Sequence, residues 1–487
     1  MKLATILLAG AAAVLAPVAA RAETACADMA ATTLPHAQVT KAAAETADGK
    51  TLCRITVTSR PTADSNIGIE VWIPMGSAWN GKFVQVGNGG YAGSIRSAQL
   101  RALALQGYAA SATDDGHQTQ VVTSAAWALG HPEKVVDFAW RAVKETTDIS
   151  KALIQAQKAQ APARSYFSGC STGGREALMA AQRRPADFDG IVAGAPAAEM
   201  PELWGLAVLS SRAMARPGGH IGPPEQALLQ AAVLKQCGGG LYVADPQACR
   251  FDPGALRCKA GQTSDCLSAA QVASARAIYD GRRTPGASAR AYPGFSPGAE
   301  AQPGSWTTWI TGPDQARMGD AAGAKFVDNG FKYLTYGDPV YDFTKADGMA
   351  AAARAKAHVS PMMDAASPDL RAFKARGGKL IQYHGWNDPA IPALSSIRYH
   401  GQVQTLMGDV DGFYRLYMIP GMLHCGGGPG PSGVDWLAKL DDWVERQTPP
   451  TAINATTTPV AGGQGQLLCP YPAVAGQAGC AARKPKA

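Results

Sequence analysis

The segment RSYFSGCSTGGREALMAAQRRP, residues 164–185, constrains the fold of this chain more than any other. Residues 164–167 read as a strand, and 176–184 as a helix that Pro185 stops. Between them Gly169, Cys170, Ser171, Thr172 and Gly173 spell G-x-S-x-G. A strand turns into a helix this sharply only where flanking side chains are absent, because a Cβ there would strike neighbouring backbone. The surrounding chain is consistent with that turn. Residues 68–73, 82–86, 109–113 and 191–193 are strand-like, while 98–105 and 135–156 have helical periodicity. Further on, 377–385 and 413–421 read as buried strands ending in Gly- and Pro-rich loops, and 434–446 as an amphipathic helix. Alternating β and α elements predict a mostly parallel sheet with helices on both faces.

A serine hydroxyl needs a general base to act as a nucleophile, and the base needs an orienting acid. In the α/β-hydrolase arrangement these follow the serine in the order acid, then histidine, on loops after later strands. Asp388 stands in WNDPAIP after one such strand, and His424 in GMLHCGGG after the next. The candidate catalytic residues are therefore Ser171, Asp388 and His424. His384 precedes the acid in the same loop, which is the wrong order for the base. An oxyanion hole needs two N–H donors. Thr172 supplies one, and the glycine-rich loop in KFVQVGNGGYAG supplies the other, Gly90 first and Gly89 next. The same loop carries a remote alternative. Gly87, Gly89 and Ala92 match a dinucleotide fingerprint, with Asp114 or Asp115 downstream; such an oxidoreductase would leave the Ser, Asp and His loops without a role.

The gap between Ser171 and Asp388 is too long for the core alone. Within it, residues 200–344 are rich in Gly and Pro and lose the strand signals. An insertion there would sit over the site as a lid. The predicted organisation is a signal peptide (1–22), a first part of the core (23–199), a lid (200–345) and a second part of the core (346–487) that ends in a loose polar tail. The signal peptide rests on Lys2, a short apolar run and the A-x-A pattern of Ala20, Arg21 and Ala22, with cleavage near Ala22. The mature chain is then secreted or periplasmic. Export makes ten cysteines read as disulfides. Their connectivity does not follow from sequence. Nearness groups Cys26 with Cys53, Cys237 with Cys249, Cys258 with Cys266 and Cys469 with Cys480, which leaves Cys170 and Cys425 for each other. No zinc-type ligand cluster and no block of like charges appears, so neither a metal nor a nucleic-acid partner is expected, and no segment reads as membrane-spanning.

These residues resemble the tannase and feruloyl esterase family, which includes the hydrolase of mono(2-hydroxyethyl) terephthalate. The resemblance rests on VGNGG (86–90), GCSTGGREALMAAQRRPADFDGIVAGAPA (169–197), CRFDPGALRCKAGQTSDCLSAAQV (249–272), YHGWNDPAIP (383–392), PGMLHCGGG (420–428) and LCPYP (468–472). It implies a secreted α/β-hydrolase with a lid that cleaves carboxylic esters of aromatic acids, with Cys-Ser and His-Cys pairs at Cys170-Ser171 and His424-Cys425. Many members bind calcium in an Asp-rich loop between two lid cysteines. Here that interval, 237–249, holds only Asp245, too few hard oxygen ligands for a calcium cage. No cofactor is expected. The expected substrate is a small aromatic ester of feruloyl, galloyl or terephthalate half-ester type. Trp306 or Trp309 could stack on an aromatic acyl group, although either could as well be core. A serine peptidase and a general aryl esterase on the same fold are the alternatives.

Overall fold

The structure is a computed structural model and describes residues 23–238, 240–283, 290–345, 347–457, 465–476 and 479–482. The expected signal peptide, 1–22, lies outside the described residues. Among these residues, nine strands form one mixed sheet: β1 (Ala37–Ala47), β2 (Lys50–Ser59), β3 (Ile67–Pro74), β4 (Lys82–Val86), β5 (Ala109–Thr113), β6 (Arg164–Cys170), β7 (Gly190–Gly194), β8 (Lys379–Gly385) and β9 (Tyr414–Ile419). The spatial order is β1-β2-β3-β5-β4-β6-β7-β8-β9. The first three pairings are antiparallel. Every pairing from β5 to β9 is parallel. The crossover between β4 and β6, with β5 on the outer side, brings the ends of β4 and β6 together.

The longer helices are α1 (Ser97–Leu105), α2 (Ala142–Lys158), α3 (Thr172–Arg183), α4 (Met200–Met214), α5 (Pro223–Gln236), α6 (Ala269–Asp280), α7 (Ala322–Asn329), α8 (Gly348–His358), α9 (Leu394–Met407) and α10 (Trp436–Arg446). The central strands are apolar on both faces, as a parallel sheet covered on both sides requires. Phe83, Phe167, Ile191 and Leu380 enter one core with Leu153 of α2, Leu178 of α3 and Val403 of α9. Their chain neighbours Val84, Tyr166, Val192 and Ile381 enter the opposite core with Leu100 of α1 and Leu440 and Trp443 of α10. The period-two alternation of a strand sends each pair to opposite sides.

Residues between β7 and β8 build two further apolar clusters, and α4 serves both. It gives Trp204 and Val208 to one and Leu206 and Met214 to the other. Trp306 lies in the second cluster, 1 % exposed, and is a core residue. The helix expected over 135–156 runs from Pro132 to Lys158, through a wider turn at Asp137–Arg141.

Two regions differ from expectation. β1 and β2 form a long antiparallel pair that the strand pattern from residue 66 onward does not anticipate. In β2, Cys53, Ile55 and Val57 alternate into the core, and Cys53 is bridged to Cys26. The C-terminal tail is not loose where it is described. Ile453–Thr457 pairs with Gly465–Leu468, burying Ile453, Ala455 and Leu468, and Cys469 is bridged to Cys480. Between β7 and β8, bridges join Cys237 to Cys249 and Cys258 to Cys266.

Leu178 is fully buried on the helix that follows Ser171. Leu178→Ala is expected to lower unfolding free energy by about 2–5 kcal/mol, through lost burial and the cavity left behind. Urea denaturation checks this; a loss well under 1 kcal/mol would show that α3 is not held by this core.

Candidate active site

β6 ends at Cys170 and α3 begins at Thr172, so Ser171 alone makes the turn. Its backbone takes φ 66°, ψ −121°, a strained conformation for a residue with a side chain. Close approach explains the glycines around it. A Cβ on Gly169 would stand 2.5 Å from Gly173 O, and one on Gly173 would stand 2.8 Å from Asn88 O. Sequence periodicity placed the helix start at 176; it begins at Thr172, because these glycines tolerate helical packing against the loop after β4.

That loop is fastened to the turn by four hydrogen bonds. Gly87 N–H donates to Ser168 O (3.0 Å), Gly173 N–H to Asn88 O (2.7 Å), Asn88 N–H to Glu176 Oε2 (3.0 Å), and the Thr172 hydroxyl to Gly90 O (2.7 Å). Thr172 is the first helical residue, so its N–H has no partner within α3. Gly89, Gly90, Ser171 and Thr172 line one cavity. The dinucleotide alternative finds no support in this geometry. The helix after the loop starts only at Ser97, and Asp114 and Asp115 are buried away from the cavity lining.

Asp388 follows β8 and His424 follows β9, adjacent parallel strands. His424 Nδ1 lies 2.8 Å from Asp388 Oδ2. Asp388 Oδ1 accepts from the N–H groups of Ala390 (2.8 Å) and Ile391 (2.9 Å). Burial pushes the Asp388 carboxyl up. The charge of His424 and hydrogen bonds from His384 and His424 outweigh it and hold the group well below the usual carboxylate range. A carboxylate on Nδ1 leaves Nε2 of His424 free to act as a base. His424 lines the same cavity as Ser171. Among the described residues the Ser171 hydroxyl makes no hydrogen bond, an arrangement common before substrate binds. Cys170 is bridged to Cys425. The residue before Ser171 is thus tied covalently to the residue after His424.

The cavity has a volume of about 600 Å³. Apolar side chains of the 200–345 region form much of its wall, including Leu203, Trp204, Trp309, Ile310 and Phe326. Trp309 stands edge-on to the His424 ring at 5.3 Å, so of the two tryptophans singled out it is the one at the site. Tyr383 and Arg96 also line it; Arg96 stands in none of the sequence motifs, and Tyr383 is marked only as a strand residue at the start of YHGWNDPAIP. Between Cys237 and Cys249 the one carboxylate is Asp245, whose Oδ1 accepts from Gln247 N–H at 3.1 Å. The residues there do not fit a calcium cage. Among the described residues no group of three or more His, Cys, Asp or Glu side chains could hold a metal ion. No helix among them is long and apolar enough to cross a membrane.

Residues 53–484 match the family model described as tannase and feruloyl esterase. An uncharacterized esterase of Xanthomonas campestris is 35% identical, over 93% of this chain and 88% of its own. Feruloyl esterase B of Aspergillus niger is 31% identical over 82% of this chain and 78% of its own. Mono(2-hydroxyethyl) terephthalate hydrolase of Piscinibacter sakaiensis is 31% identical over 84% and 78%. The crystal structure of feruloyl esterase B from Aspergillus oryzae superposes with a TM-score of 0.81 at 25% identity, covering 93% of this chain and 97% of that one.

Replacing both Cys170 and Cys425 by serine is expected to lower kcat roughly 10- to 100-fold, since small misplacements of a base are that costly. Far-UV circular dichroism should stay unchanged. Unaltered turnover would show that the bridge does not position the site.

Proposed function

The chain belongs to the tannase and feruloyl esterase family and is a carboxylic ester hydrolase, and we propose that it is an exported serine esterase cleaving esters of aromatic acids through Ser171, His424 and Asp388. The observation that carries this is the Asp388–His424 hydrogen bond at the wall of the cavity into which the Ser171 turn opens. His424 Nε2 takes the Ser171 proton as Oγ attacks the ester carbonyl. The N–H groups of Thr172 and Gly90 hold the oxyanion. His424 then gives its proton to the departing alcohol, leaving an acyl-enzyme. Water, deprotonated by His424, attacks the acyl carbon, and Ser171 is regenerated as the acid departs. Asp388 orients the ring and stabilises the imidazolium. Residues 200–345 act as a lid, and Trp309 and Phe326 pack against an aromatic acyl ring. Removal of 1–22 on export, and five bridges formed in an oxidising compartment, complete this picture.

Ser171→Ala is expected to lower kcat on a cinnamate or p-nitrophenyl ester by about 10⁴-fold or more. Full activity in that variant would sink the mechanism. Each ester paired with its anilide separates an esterase from a peptidase.

A specific observation also bears on substrate choice. Arg96 lines the cavity, and its Nη2 lies 3.2 Å from where a Cβ on Gly89 would stand. Among the described residues it has no ion-pair or hydrogen-bond partner for its side chain, and no Asp, Glu or Lys shares the lining. An unpaired cation facing a mostly apolar cavity favours substrates that carry a negative charge. Arg96 is exposed, so the effect is modest. Arg96→Gln is expected to lower kcat/KM for a half-ester of an aromatic diacid about three- to tenfold, and to leave the neutral methyl diester unchanged. Equal effects on both would remove the charge preference.

A further inference from the structure

We propose that His384, excluded as the base by its place in the chain, is a positioning residue that holds Asp388 and the turn after it in the orientation His424 requires. The proposal rests on the assignment of Asp388 as the catalytic acid. His384 is fully buried and does not line the cavity, so it touches no substrate. Its Nε2 lies 3.2 Å from Asp388 Oδ2 and 3.1 Å from Ile391 O. A carboxylate and a carbonyl can only accept, so Nε2 must carry a proton shared between them. Ile391 is the residue whose own N–H donates to Asp388 Oδ1. One ring therefore grips both the acid and the turn that holds the acid.

The other side of the ring fixes its tautomer. His384 Nδ1 lies 2.7 Å from Ser396 Oγ. That oxygen already accepts from Gln382 Nε2 at 2.6 Å, and Gln382 Oε1 accepts from the Tyr414 hydroxyl. Among the described residues Nδ1 is the acceptor that remains for the Ser396 proton. The donors thus run in one direction, Tyr414 to Gln382 to Ser396 to His384 to Asp388. Every member is buried: Tyr414, Gln382 and His384 are 0 % exposed and Ser396 1 %. A reversed step would leave a donor facing a donor, or an acceptor facing an acceptor, among buried groups. The chain spans β9, β8 and α9, so the sheet interior sets the orientation of a carboxylate at its edge.

The test uses two polar variants of similar size. The amide nitrogen of glutamine falls near the Nε2 position, whereas that of asparagine falls near Nδ1. His384→Gln keeps a donor toward Asp388 and Ile391 and is expected to retain kcat within about threefold. His384→Asn loses that donor and is expected to lower kcat about tenfold or more, with KM changed less than about twofold in both. The same pair is then made in the Asp388→Asn background and read by single-turnover acylation. If His384 acts through Asp388, the two variants become indistinguishable there. Equal kcat for the Gln and Asn variants, or a difference that persists with Asp388→Asn, would overturn the proposal. Full activity of Asp388→Asn alone would instead refute the assignment of the acid.

Discussion

Gly173 N–H donates to Asn88 O at 2.7 Å, and the two backbones come close enough that neither partner could accept a β-carbon on Gly173. This contact brings the turn at the end of β6 against the loop at the end of β4. It depends on β4 and β6 being parallel neighbours, which fixes both strand ends at the same edge of the sheet. The strained backbone of Ser171 persists because the bonds on either side of it are satisfied. Ser171 N–H donates to Gly194 O (3.0 Å), and its carbonyl accepts from Arg175 N–H and Ala197 N–H (both 3.0 Å). The proposed oxyanion donors inherit their placement from the same contact.

The two sides of the site have different physical origins. The proposed nucleophile, base and acid stand on loops at the ends of β6, β9 and β8, whose spacing is set by strand pairing. The opposite wall comes from 200–345, where helices and wider turns pack around α4. Strand pairing is rigid and periodic, which suits groups that must meet within hydrogen-bond distance. Helix packing is set by side-chain shape, which suits a wall that selects a substrate. The Cys170–Cys425 bridge adds a covalent tie between two loops of the rigid side.

Parts of this arrangement are legible in the chain. Gly169, Ser171 and Gly173 announce the turn because close approach admits no other residue at the flanking positions. Asp388 and His424, the proposed acid and base, are singled out by order and by the strands that precede them. The N-terminal strand pair is less legible, since β1 is mostly half-buried or exposed and carries little apolar alternation. The tail strands are short, and the run that precedes them is Pro- and Thr-rich, which masks the buried Ile453 and Ala455. Arg96 stands in none of the sequence motifs, and Tyr383 opens YHGWNDPAIP only as a strand residue, because a place in a cavity wall comes from the fold.

The sequence by itself determined the class of fold and the identity of the turn residue, because alternating periodicity and the steric demand for glycine are local properties. It determined also that ten cysteines have no metal-ligand spacing. Only the tertiary structure decided what His384 is. In the sequence it is a histidine four residues before the proposed acid and competes with His424 for the same part; in the structure it lies near the end of β8. Its role emerges from Ser396 on α9 and from Gln382 beside Tyr414 in the sheet, groups that are brought together by burial. Hydrogen-bond direction in a buried network is a property of all its members at once, and no single stretch of chain encodes it.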